Sequence, residues 1–174
     1  PDLMHALAVI DHIKPQAEPP HLLNMDVKKA HRLIKIQRSD WKYLAAKVGD
    51  EYFINKVGTF GVASAQYYWG RMAAALTRSL YYINEEQGWN FVYVDDFLSL
   101  LVGSNPWLQT TLITLFLLAL GTPLSWKKTC LGRTNTWLGF RISVVPGTVQ
   151  VGPERLPMVI QILDDIITGL ARDY

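Results

Sequence analysis

The sequence predicts an α+β fold, an antiparallel sheet with helices packed on one face. Three observations predict it. Pairs of β-rich runs are separated by short turn-forming stretches, which implies hairpins and antiparallel pairing. Helical patterns alternate with those pairs along the chain. Of the 174 residues, 49% are hydrophobic, enough for one domain with a core of its own.

The elements follow in order. Residues 3–13 read as an amphipathic helix, stopped by the prolines of "KPQAEPP". "HLLNMD", residues 21–26, reads as a short strand ending at Asp26, and "VKKAHRLIKI" continues with mixed helical spacing. "WKYLAAKV" and "YFINKV" flank "GDE" and form a hairpin, because Gly-Asp sits between two β-rich runs. "GTFG" at 58–61 punctuates the chain before "VASAQYYWGRMAAALTRSLYYI", its longest helical pattern. "NFVYV" and "FLSLLVG" are the strands of a tight hairpin with Asp95 and Asp96 at its tip. "PWLQTTLITLFLLAL" reads as a buried helix, "WLGFRIS" and "TVQVG" as strands around "VPG", and a last helix follows "GPE". Both ends read as cuts through something longer.

Composition excludes several classes. The net charge of +2 does not announce a nucleic-acid binder, so local charge must carry that reading. Cys130 is the single cysteine, so no intrachain disulfide forms, and a reducing, intracellular setting (cytoplasmic or nuclear) is the expectation. The apolar run "LITLFLLALG" is shorter than the about 20 residues that span a bilayer, and no membrane partner is expected. His5, His12, His21 and His31 are scattered, which gives no zinc pattern. Neither a phosphate-cradling Walker loop nor a Gly-x-Ser-x-Gly elbow occurs.

The chemistry-bearing signal is "FVYVDDFLSL". An Asp pair alone reads as an ordinary solvated turn. Its apolar flanks and a third acid, Asp26, at the end of another apolar strand change that reading. Adjacent carboxylates at a rigid tip are costly unless a cation neutralises them, and magnesium suits hard oxygen donors. Two acidic strand ends side by side make a site for two metal ions and in-line phosphoryl transfer. The basic run Lys28, Lys29, Arg32, Lys35, Arg38 and Lys42 would attract phosphates, although such a run is more often a solvated face. Ala63, Ser64, Ala65 and Gly70 give the long helix a small-residue surface, while Tyr67, Tyr68 and Trp69 read as core or rim aromatics. Lys127 and Lys128 in "LSWKKTCLG" include a candidate proton donor for departing pyrophosphate.

"NMD…AH", "TFG" before a helix, "YVDD", "LSWKK" and "WLGF" occur in the order of the motifs of reverse transcriptases. The chain resembles that family over roughly residues 20–145, in particular retrotransposon enzymes of the DIRS-like class that carries a tyrosine recombinase. The resemblance implies a polymerase palm core over 1–145, with a fingers-like β-hairpin at 41–57, and the start of a truncated thumb or connector over 146–174. It implies RNA-directed DNA synthesis within a retroelement polyprotein: a nucleotidyltransferase that joins dNTP to a primer 3′-hydroxyl on an RNA or DNA template. The fingers and thumb of a parent chain would complete it.

Residue by residue, the resemblance implies that Asp26, Asp95 and Asp96, with the carbonyl of Val27, hold two Mg2+ ions (or Mn2+). Lys29, Ala30 and His31 would face the nucleotide, as would Phe60 and Gly61. Histidine at 31 departs from the family's usual aromatic, which bears on the strictness of dNTP over NTP. Lys128, or failing it Lys127, would be the acid, and Tyr93, Leu138 and Gly139 would meet primer and template. The alternatives are a catalytically inactive, polymerase-derived module that binds nucleic acid or a partner, and an RNA-directed RNA polymerase.

Overall fold

A computed structural model describes residues 4–5, 8–9, 19–59, 61–83 and 88–168. The helix expected at 3–13 and Phe60 therefore lie partly or wholly outside the described residues. The centre is a four-stranded antiparallel sheet. Its strands are β1 (His21–Asp26), β4 (Gly88–Tyr93), β5 (Asp96–Leu101) and β6 (Cys130–Gly132), in the order β4-β5-β1-β6. A two-stranded hairpin, β2 (Ala45–Val48) and β3 (Glu51–Ile54), stands apart from it. A three-stranded sheet joins β7 (Thr134–Trp137), β8 (Phe140–Ser143) and β9 (Thr148–Val151). The helices are α1 (Ala63–Ile83), α2 (Pro106–Ala119) and α3 (Leu156–Ile167). The expected α+β class holds, and among the described residues a separate three-stranded sheet adds to the expected antiparallel sheet and β-hairpin.

Side-chain alternation in the central strands explains the layering. Leu23 and Met25 of β1, with Phe97 and Leu101 of β5, face one side and pack on Trp69, Ala73, Leu76 and Leu80 of α1 and Ile113 and Leu117 of α2. Leu22, Leu98 and Leu100 face the other side and pack on Trp137 and Ile142 of the three-stranded sheet. Asn24 and Asn135 tie the layers together. Asn24 Nδ2 donates to the Thr136 carbonyl at 2.7 Å, and Asn135 Nδ2 donates to the Leu22 carbonyl at 2.8 Å. Those bonds satisfy buried amides that would otherwise cost about 1–3 kcal/mol each.

Four expectations need correcting. The stretch after Asp26 forms only a 3-10 turn, Ala30–Leu33, because Lys29 sits in the left-handed region at φ 57° and breaks helical geometry. The 41–57 hairpin is shorter than expected, since Arg38–Leu44 is 3-10 and strand pairing begins at Ala45. "WLGFRIS" is not one strand. Leu138 and Gly139, at φ 53° and 81°, make a two-residue turn between Trp137 and Phe140, the positive-φ pair a tight hairpin needs. Finally, α2 is not buried all round. Gln109, Ile113 and Leu117 face the core, and Leu108, Leu112, Leu115 and Leu118 are exposed, because α1 covers much of the same sheet face. No helix among the described residues is long and apolar enough to cross a membrane.

Candidate active site

The site grows from the register of the central strands. Asp26, the last residue of β1, pairs directly with Asp96, the first residue of β5. Asp96 in turn pairs across the hairpin with Tyr93. The two-residue turn is therefore Val94-Asp95. Asp95 alone is at the tip, and Asp96 belongs to the strand, which corrects the expected position of the acid pair.

Val94 has φ 54°, a conformation that a β-branched residue avoids. Such strain costs on the order of 1–3 kcal/mol and persists only where neighbours hold it. Two bonds hold it here. The indole Nε1 of Trp69, which is 1% exposed, donates to the Val94 carbonyl at 2.8 Å. The Val27 N–H donates to the Asp95 carbonyl at 2.9 Å. The turn is thus fixed from α1 on one side and from the end of β1 on the other.

The segment after Asp26 is fixed as well. Val27 bridges Leu124, with the Lys28 N–H donating to the Pro123 carbonyl at 2.8 Å and the Ser125 N–H to the Asp26 carbonyl at 2.8 Å. This bridge leaves the Val27 carbonyl outside its two bonds. It also delivers Lys128, whose Nζ lies 2.6 Å from Asp26 Oδ1. Lys127 is exposed and lines neither of the cavities at the site.

Asp26 is 6% exposed. Burial, followed by the charges of Asp95 and Asp26, raises the pKa of Asp96 above 3.8, with Lys128 opposing and a hydrogen bond to the Asp26 carboxyl adding to the rise. The hydrogen bond to Asp26 keeps the Lys128 ammonium charged beyond its usual 10.5. Among the described residues no three carboxylate, imidazole or thiolate groups already stand at metal-ligating spacing. The donor set still suits a hard cation: closely set carboxylates, of which Asp96 has its pKa raised by burial first and by the charges of Asp95 and Asp26 next.

That shift has a measurable consequence. The folded-state pKa of Asp96 lies above the unfolded value, so the folded chain keeps the proton longer. Its contribution to stability is largest below 3.8 and is lost as pH rises through the raised value. Without divalent cations, Asp96→Asn should therefore melt a few degrees higher than wild type at neutral pH and show a flatter profile between about pH 4 and pH 8. A variant that melts at or below wild type throughout that range would refute the raised pKa of Asp96.

Two cavities meet at the Asp26–Lys128 pair. The first, of about 410 Å3, is lined by Asp26, Asp95, Lys28, Lys29, Ala30, His31, Arg32, Thr59, Ser125 and Lys128, so its rim is strongly basic. The second, of about 330 Å3, adds Asp96, Thr136, Trp137, Leu138, Gly139 and Arg155 to Asp26 and Lys128. Of the residues singled out in the sequence, Lys29, Ala30 and His31 line the first cavity and Leu138 and Gly139 the second. Gly61 is described but lines neither cavity, and Tyr93, 56% exposed, lines neither as well. Thr59, Ser125 and Arg155 were not expected. Gly58 seats Thr59: a Cβ there would collide with the His31 carbonyl oxygen and with the Ala65 side chain. Ser125 lies inside "LSWKK", so the motif that carries Lys127 and Lys128 already included it; Thr59 lies inside "GTFG", and Arg155 carries no local signal.

No family model matches the chain, and no curated protein matches it. Solved structures do. The foamy viral protease–reverse transcriptase in complex with RNA/DNA hybrid superposes with a TM-score of 0.66 at 16% identity, covering 83% of this chain and 19% of that one. The fold is reverse-transcriptase-like. The foamy viral enzyme in complex with double-stranded DNA gives 0.63 at 18% identity over 83% of this chain and 25% of that one. Apo telomerase from Candida tropicalis gives 0.57 at 11% identity over 86% and 40%. The chain therefore spans between about a fifth and two fifths of the length of these structures. The mixed architecture of helices and antiparallel sheets is palm-like.

Proposed function

We propose that this chain is the catalytic palm of an RNA-directed DNA polymerase of retrotransposon, DIRS-like type, which adds dNTP to a primer 3′-hydroxyl. The observation that carries the reading is the direct pairing of Asp26 with Asp96, beside Asp95 on a strained, doubly anchored turn, at the junction of two cavities. The solved neighbours that hold an RNA/DNA hybrid or double-stranded DNA support nucleic acid as the partner.

The carboxylates of Asp26, Asp95 and Asp96, with the carbonyl of Val27, would hold magnesium. Bound there, the metal supplies charge that acidifies the primer hydroxyl and offsets the charge of the triphosphate. The chain's own residues do the positioning. Lys28, Lys29 and Arg32 draw the triphosphate into the basic cavity, with Ala30 and His31 along its path. Lys128, kept protonated by Asp26, is placed to donate to departing pyrophosphate. Leu138 and Gly139 shape the opposite cavity for the primer end. The template supplies sequence readout by base pairing.

One observation favours a second reading, a binding module without turnover: Asp26 already holds Lys128 at 2.6 Å, and that contact must loosen for Asp26 to take a cation. Primer extension by the full-length protein decides between them, on RNA and DNA templates, with dNTP or NTP, with and without Mg2+. Metal-dependent incorporation of dNTP is expected. Tight primer–template binding with no incorporation under any metal would leave the binding module, and preference for NTP would make the protein an RNA polymerase.

A further inference from the structure

Arg155 is the unassigned charge at this site. It precedes α3, yet its guanidinium lies over the turn of another hairpin. Its Nη1 makes a long bond of 3.5 Å to the Leu138 carbonyl, and a Cβ on Gly139 would collide with the guanidinium. The fold brings it there through Gly152, whose N–H donates to the Gly139 carbonyl at 2.8 Å, and through the Arg155 N–H, which donates back to the Gly152 carbonyl at 2.9 Å. Among the described residues no carboxylate pairs with Arg155. Most of its five donors are left for something else. Trp137, 3% exposed, also lines this cavity, and among the described residues its buried Nε1 has no hydrogen-bond partner.

In-line displacement sets the direction of the reacting groups. The leaving pyrophosphate departs toward the basic cavity of Lys28, Lys29 and Arg32, so the attacking hydroxyl enters from the other side of Asp26. That side is the cavity of Trp137, Gly139 and Arg155. A primer strand arriving there brings a backbone phosphate one linkage behind its 3′-hydroxyl. A guanidinium fork suits a phosphate, and the missing side chain at Gly139 leaves the guanidinium room against the turn.

We propose that Arg155, seated on Gly139, binds a backbone phosphate near the 3′ end of the primer strand. This rests on the polymerase reading for the direction of attack, but the test reads binding and does not require turnover. The full-length protein is titrated with a labelled primer–template at several salt concentrations, without nucleotide. Arg155→Ala should weaken binding by about tenfold and reduce the salt slope by about one. Arg155→Lys should keep the slope while recovering part of the affinity. Gly139→Ala, which displaces the guanidinium, should copy the loss, and the double variant should lose no more than either single variant. A primer with one uncharged methylphosphonate linkage, placed in turn at the last two positions, should weaken wild type and leave Arg155→Ala unaffected. Unchanged affinity and slope in Arg155→Ala, or a methylphosphonate effect of equal size in both proteins, would overturn the proposal. If no nucleotide is ever incorporated but the Arg155 slope and the methylphosphonate effect hold, the polymerase reading fails and this contact stands.

Discussion

Asp26→Asn should reduce primer extension by on the order of 10³-fold or more on the proposed reading, in which loss of a metal-holding carboxylate removes several kcal/mol of transition-state stabilisation. The loss should appear in kcat. Primer–template affinity should stay within about twofold, because the phosphate-binding charges are untouched. Stability should change little. The substitution removes the pairing of the buried Asp26 carboxylate with Lys128, whose side chain is 64% exposed, so solvent screens the pair from the lysine side and the loss is modest. It also relieves the repulsion felt by Asp96, which offsets part of that loss. Single-turnover extension, equilibrium binding and thermal melting, run on the same preparation, separate these effects. Wild-type extension by Asp26→Asn would end the assignment of this strand pair as the reacting centre.

Trp69→Ala should destabilise the fold severely, by about 3–5 kcal/mol. Trp69 is among the largest fully buried side chains and sits in the cluster formed by α1, α2 and the central sheet. For a chain of this size that corresponds to a fall in Tm of roughly 10 °C or more. Trp69→Phe separates packing from positioning. It keeps most of the apolar volume but loses part of the ring system and the bond to the Val94 carbonyl. Its stability cost should be about 1–3 kcal/mol, from the small cavity and the unpaired carbonyl together. Its effect on extension should be larger than that cost implies, because the freed Val94 turn lets Asp95 drift from Asp26. If Trp69→Phe loses stability and activity in equal proportion, the indole bond has no positioning role.

The fold class was legible because local patterns agreed. Alternating apolar runs with turn residues between them implied antiparallel hairpins, and the long spacing after Gly61 implied α1. Where local signals were misread, longer-range geometry decided the outcome. The 3-10 turn at Ala30–Leu33 reflects a left-handed Lys29, which no propensity announces. The uncharged leucine run of α2 looked buried, yet the sheet face it would have filled is largely taken by α1.

The sequence by itself determined the acids. Asp26 at the end of one apolar strand and Asp95-Asp96 between two others carry a strong local contradiction, charge set in apolar runs, and that contradiction is visible without coordinates. The basic run after Asp26 was equally visible as composition. Only the tertiary structure decided which groups meet. It paired Asp26 with Asp96, placed Asp95 alone at the turn, chose Lys128 over Lys127 for the bond to Asp26, and seated Arg155 on Gly139. The physical reason is separation along the chain. Lys128 reaches Asp26 across 102 positions through a strand bridge, and Arg155 reaches Leu138 across 17 through the β8–β9 hairpin. Patterns of period two or 3.6 report the neighbours of a residue within its own element, and contacts across such distances are set by sheet register and by the turns that return the chain.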